Sequence, residues 1–174
     1  MNTKQKEILK NLSSPIEKDV LKALTDVKQH GSAAMIPAIM KHIMEEEEST
    51  EASDKAKEVL SSLKDSEAQN AYLDELIKPE YQEKSATYLG LIWQAGIKAE
   101  NHVSNLVKCA LKGDFNSVFE VITIIENSEN EIPEPEILES QIACKLYLDN
   151  NAKSQKKEIV ENLLQLLDQT DTYN

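Results

Sequence analysis

The chain has 174 residues, 40% of them apolar and only 5% aromatic, with four glycines, five prolines and a net charge of −12. That length suits one domain, 1–174, and the shortage of Gly and Pro excludes a turn-rich β-sandwich, leaving helix packed on helix. All 19 basic residues are Lys, so the planar fork with which Arg grips phosphate and base edges is missing, and a nucleic acid is excluded as the expected partner. Lys-only usage is also what an AT-rich bacterial genome produces.

The N-terminal MNTKQKEILKNL lacks the apolar stretch of roughly 7–15 residues that marks a secretory signal. No run approaches the roughly 18 apolar residues of a membrane span. A cytoplasmic protein without a membrane partner is expected. Cys109 and Cys144 are too few for a disulfide framework and read as reduced, buried thiols.

In chain order, Ile8 and Leu12 give residues 3–12 one apolar edge, enough for a leading capping helix. Ser14 reads as an N-cap ahead of Pro15 and Glu17, opening a helix that runs to His30 before Gly31 and buries Val20, Leu21, Leu24 and Val27. Residues 33–46 follow, with Ile36, Ile39, Met40 and Ile43 on one stripe and Pro37 tolerated in the first turn. The next pair is 53–63 and 67–78, the second capped by Ser66 and stopped by Pro79. Residues 80–95 carry Leu89, Ile92 and Trp93, and 99–112 carry Val103, Leu106, Val107 and Leu111; Gly96 and Gly113 stand where C-caps belong. Residues 114–127 pair with 135–148, whose inward face is read as Leu138, Ile142 and Leu146. A last helix, 153–168, closes the series before a frayed tail, 169–174.

Five apolar pairs recur within these segments: Leu24/Val27, Leu60/Leu63, Leu89/Ile92, Val121/Ile124 and Leu163/Leu166. Their mean spacing, roughly 35 residues, is the period of stacked helical hairpins. The expected fold is all-α, an α-α superhelix: a short right-handed solenoid of about four hairpins plus terminal capping helices. The segment Val20–Met44, VLKALTDVKQHGSAAMIPAIMKHIM, resembles the HEAT and armadillo-like repeat superfamily in its helix, Gly turn and Ile-Pro helix start. The Asp–Arg ladder of common HEAT repeats is absent because the chain has no Arg. Tetratricopeptide repeats have a similar mean period, but uneven intervals and the missing Trp, Gly and Tyr signature count against them. The resemblance implies a protein-binding scaffold. DNA glycosylases built on the same solenoid combine aromatic residues with a catalytic Asp and a basic surface, which this acidic chain lacks.

Glu45–Glu48, continued by Glu51 and Asp54, form a base-free run read as a solvated connection, since consecutive acids spread around a helix instead of converging on one ion. A second acidic stretch runs from Glu126 to Glu139. His30, His42 and His102 have no metal-ligand spacing, and no metal or other cofactor is expected. Met35, Met40 and Met44 read as core filler. Tyr81 and Tyr88, seven residues apart on one helix, are candidate contact residues, whereas Trp93 reads as an inter-helix anchor.

The functional expectation is a non-catalytic protein-protein interaction module whose second helices form a concave wall. His42, Glu75, Asn105 and Lys108, taken as non-core positions, are the contact candidates on that wall. An acidic inhibitor or immunity-type protein neutralising a basic partner is the alternative, and an enzyme assembled from distant repeats a third. Oligomeric state is left open.

Overall fold

The computed structural model describes residues 1–44 and 50–171, and among them every regular element is helical. They fall into two compact units, Met1–Glu75 and the chain from Leu76 onward.

The first unit opens with α1 (Thr3–Leu12), held by a capping box in which Asn2 Oδ1 accepts from the Gln5 N–H and Gln5 Oε1 accepts from the Asn2 N–H. Helix α2 (Glu17–His30) starts two residues later than a Ser14 cap would place it. Ser14 Oγ instead accepts from the Ile16 N–H, a local turn that competes with capping. A 3-10 turn, Ala33–Met35, leads into α3 (Ile36–Met44), with Pro37 in its first turn. Thr50 caps α4 (Glu51–Leu60), and Asp65, not Ser66, caps α5 (Ser66–Leu76) by accepting from the Ala68 N–H at 2.8 Å. The acidic run 45–48 lies outside the described residues. Helix α1 packs on α2 and α3, and α4 packs on α2 and α3. Ile8, Leu12, Leu24, Met35, Ile39, Met40 and Leu60 form the buried centre, so Met35 and Met40 are core filler, whereas Met44 is half-buried. Helix α5, which reaches the boundary, buries Ala68, Tyr72, Leu73 and Leu76.

The second unit begins with a 3-10 segment, Pro79–Lys84, where the sequence suggested the start of one long helix. Helix α6 (Ser85–Ala95) ends at Gly96, whose φ of 64° is the left-handed conformation that makes Gly the natural C-cap. A second 3-10 turn precedes α7 (Val103–Lys112). Then come α8 (Phe115–Glu126), capped by Asp114, α9 (Glu134–Asn150) and α10 (Lys157–Asp171). Helix α8 packs against both α6 and α10, and α7 packs against α9. Further contacts join α6 to α7, α7 to α8 and α9 to α10.

Two close polar joints fix this packing. Ser85 of α6 and Ser117 of α8 hydrogen-bond through their buried hydroxyls at 2.8 Å, and a methyl group at Gly113 would collide with both. Gly is therefore required there by close approach. Next to it, Lys156 Nζ donates to the carbonyls of Leu111 at 2.8 Å and Gly113 at 2.5 Å, and lies 5.0 Å from the centre of the Tyr147 ring. The ammonium thus serves carbonyls that the last turn of α7 leaves without helical partners.

Candidate functional site

The most unusual helix is α9. Toward its neighbours it turns Ile137, Ser140, Gln141 and Cys144, all buried. Gln141 Nε2 donates to Asp168 Oδ1 of α10 at 3.0 Å, and Glu136 Oε2 accepts from the Ser104 N–H of α7 at 2.7 Å. These contacts orient the helix, so the expected inward face, Leu138, Ile142 and Leu146, points the other way. The three side chains are 42%, 57% and 57% exposed. Their spacing of four residues aligns them into one apolar line along the helix.

Beside this line the outward face of α7 is polar. Asn105 and Lys108, two of the expected contact residues, are exposed there. Lys108 Nζ pairs with Glu139 Oε2 of α9 at 2.6 Å, joining the two helix surfaces and holding the Glu139 carboxyl below its usual range. Glu134, Lys145 and Asp149 are also exposed on α9, giving the line a border of mixed charge.

The other candidates are placed differently. His42 is half-buried, and its Nε2 donates to the Leu12 carbonyl at 2.6 Å, tying α3 to the end of α1. Glu75 is only 7% exposed, so it is not the open wall position that its helical spacing suggested. Tyr81 and Tyr88 are buried, with rings edge-to-face and centroids 5.3 Å apart. Burial pushes the Tyr88 hydroxyl far above the usual phenol range. The expected aromatic roles are therefore exchanged: the tyrosines pack inside, and Trp93 is 45% exposed, its indole N–H donating to Glu120 Oε2 at 2.8 Å. Helix α6 is enclosed on most sides, burying Tyr88, Leu89, Leu91 and Ile92, and Trp93 lies on its exposed edge.

A smaller aromatic patch went unread in the sequence. Phe115 and Phe119, one turn apart on α8, are both exposed, and Glu120 brings Trp93 close to the same helix. Phe spaced by four residues is an ordinary core signal, and only the packing of α8 through Ser117, Val118, Val121 and Ile125 shows that this pair lies outside.

Cys109 and Cys144 are free and buried. Burial raises the Cys109 thiol and pushes that of Cys144 up to about 12, which suppresses the reactive thiolate at neutral pH. Among the described residues no three His, Cys, Asp or Glu side chains gather as a metal site, and no helix is long and apolar enough to cross a membrane. No protein-family model, curated protein or solved structure matches the chain.

Proposed function

We propose that the chain is a non-catalytic protein-interaction module of the HEAT/armadillo-like solenoid kind, and that the outward surface of α7 and α9 takes a basic amphipathic helix from a partner protein. The carrying observation is the exposed line Leu138, Ile142, Leu146. Helices that alternate between two layers, α6, α8 and α10 in one and α7 and α9 in the other, support the solenoid reading for the second unit. The net charge of −12 favours a cationic partner.

Covering three half-exposed aliphatic side chains supplies on the order of 3 kcal/mol. Association costs roughly 4–15 kcal/mol, so apolar contact alone is insufficient. Flanking contacts and charge complementarity have to contribute, which makes the binding salt-sensitive.

Capture from native lysate, comparing wild type with the triple variant Leu138→Ser, Ile142→Ser, Leu146→Ser, tests the assignment. A basic protein retained by wild type and lost from a fully helical triple variant is the expected result. The same proteins on both, or loss caused by Phe119→Ser alone, would overturn it. A second reading, an acidic inhibitor of a basic protein, is favoured by Glu126, Glu129, Glu131 and Glu134, which are exposed around the α8–α9 connection and make no ion pair among the described residues. Joint reversal of Glu126, Glu129 and Glu131 to Lys, none of them beside the apolar line, separates the two readings: it abolishes capture by an acidic inhibitor, whereas capture on the apolar line falls less than in the triple serine variant.

A further inference from the structure

In the second unit a cavity of about 280 Å³, near the roughly 300 Å³ lower end of small-molecule sites, lies where α6 and α8 end. Ile92, Ile97, Ala99 and Ile124, all buried, give it apolar walls. The rest of the lining is polar. Gly96, which ends α6, and Asn127 and Ser128, which follow α8, bring two helix C-termini to the same space, and with them the partial negative charge of the last turns.

Two side chains make the chemistry of the cavity more definite. Glu100 lines it and is only 9% exposed, yet no cation among the described residues pairs with it. Its Oε1 accepts from Asn130 Nδ2 at 2.8 Å, whereas Oε2 accepts from no group among those residues. The one fully buried side-chain polar atom without a partner among the described residues is Ser32 Oγ, so Glu100 Oε2 is open to solvent. Trp93 also lines the cavity, 45% exposed, and its indole N–H bond to Glu120 at 2.8 Å holds the ring in place. Glu129 adds a second, exposed carboxylate. Lys98 is the one cationic residue in the lining; it is exposed and makes no ion pair among the described residues.

A carboxylate set this deeply is costly to keep charged without a cation. The counter-charge has to suit apolar walls, an indole and a carboxylate together. A guanidinium on an aliphatic stem does so, because it is more weakly hydrated than an ammonium, stacks on aromatic faces and forks onto carboxylates. Lys98 leaves Glu100 unpaired and the chain contains no Arg, so a guanidinium has to come from another molecule. We propose that this cavity binds an aliphatic guanidinium, its stem against Ile92, Ile97 and Ile124 and its head between Glu100 Oε2 and the Trp93 ring, supplied by a small guanidino compound or by an arginine side chain of a protein. None of Leu138, Ile142 and Leu146 borders the cavity, so the site does not depend on the α9 surface.

Trp93 is the only tryptophan, so its indole N–H gives a single nitrogen–proton NMR signal beside the cavity. The full chain is titrated with agmatine, with the N-acetyl amide of arginine, and with that of citrulline, the neutral isostere. A saturable shift is expected with both guanidinium probes, with binding about tenfold weaker for the citrulline amide and about tenfold weaker for the arginine amide on Glu100→Gln. That substitution keeps an oxygen for Asn130, and a melting curve shows whether the variant is folded; if it is not, the citrulline comparison on wild type decides. Tighter binding of agmatine than of the arginine amide identifies a small guanidino compound as the source, and the reverse order a protein side chain. Leu138→Ser, Ile142→Ser, Leu146→Ser should leave every titration unchanged, so failure here and failure of the α9 contact are read separately. No saturable shift with either guanidinium probe, equal binding of the citrulline amide, or binding unaffected by Glu100→Gln would overturn the proposal.

Discussion

Helices α7 and α9 pack side by side, yet they distribute polarity in opposite ways. Helix α7 buries Val103, Leu106, Val107 and Leu111 and exposes Asn105 and Lys108. Helix α9 buries a serine, a glutamine and a cysteine beside a single isoleucine, and exposes two leucines and an isoleucine. The first pattern is that of an ordinary amphipathic helix, apolar toward the core and polar toward water. The second leaves apolar surface in water, a pattern that packing within the unit does not account for and on which the proposed contact rests.

The sharpest way to break the contrast is a pair of truncations read by urea unfolding. Leu106→Ala, in the buried face of α7, should cost about 2–5 kcal/mol, whereas Ile142→Ala should change stability by no more than about 0.5 kcal/mol. Equal losses would mean that Ile142 is packed and that the contact surface assigned to α9 does not exist. A smaller effect comes from the bond orienting α9. Gln141→Ala removes the hydrogen bond to Asp168 and should lower stability by about 1–2 kcal/mol, with little further loss when Asp168→Ala is added.

The smallest effect concerns the pair between the two helices. Glu139 is held below its ordinary value of 4.5 by Lys108, so the stability this gives is complete above about that pH and is lost as pH falls through the lowered value. Wild type should therefore melt slightly above Glu139→Gln near neutrality, with the difference disappearing in acid. A difference that grows on acidification would reverse the assignment.

Most helix positions were legible because Leu, Ile and Val recur at helical spacing in segments such as 17–30 and 103–112. The orientation of α9 was not. Leu138, Ile142 and Leu146 form as good a helical stripe as any core face, and the decision between the two sides lies with Ser140, Gln141 and Cys144, whose small or polar side chains fit the surfaces of α7 and α10. Sequence periodicity carries no record of such a fit. The aromatic roles were missed for a related reason: α6 buries Tyr88, Leu89, Leu91 and Ile92 together, so its periodicity does not single out the edge on which Trp93 is exposed. Asn105 and Lys108 are exposed, as their positions on the polar side of a conventionally amphipathic α7 imply.

The bonds from Lys156 to Leu111 and Gly113 span 45 and 43 residues of chain. During synthesis the end of α7 therefore waits for a segment that leaves the ribosome much later, after α8 and α9 have been made. A nascent chain halted before residue 156 would hold α7 with fraying final carbonyls, and completion of the unit would be registered late, when one lysine arrives.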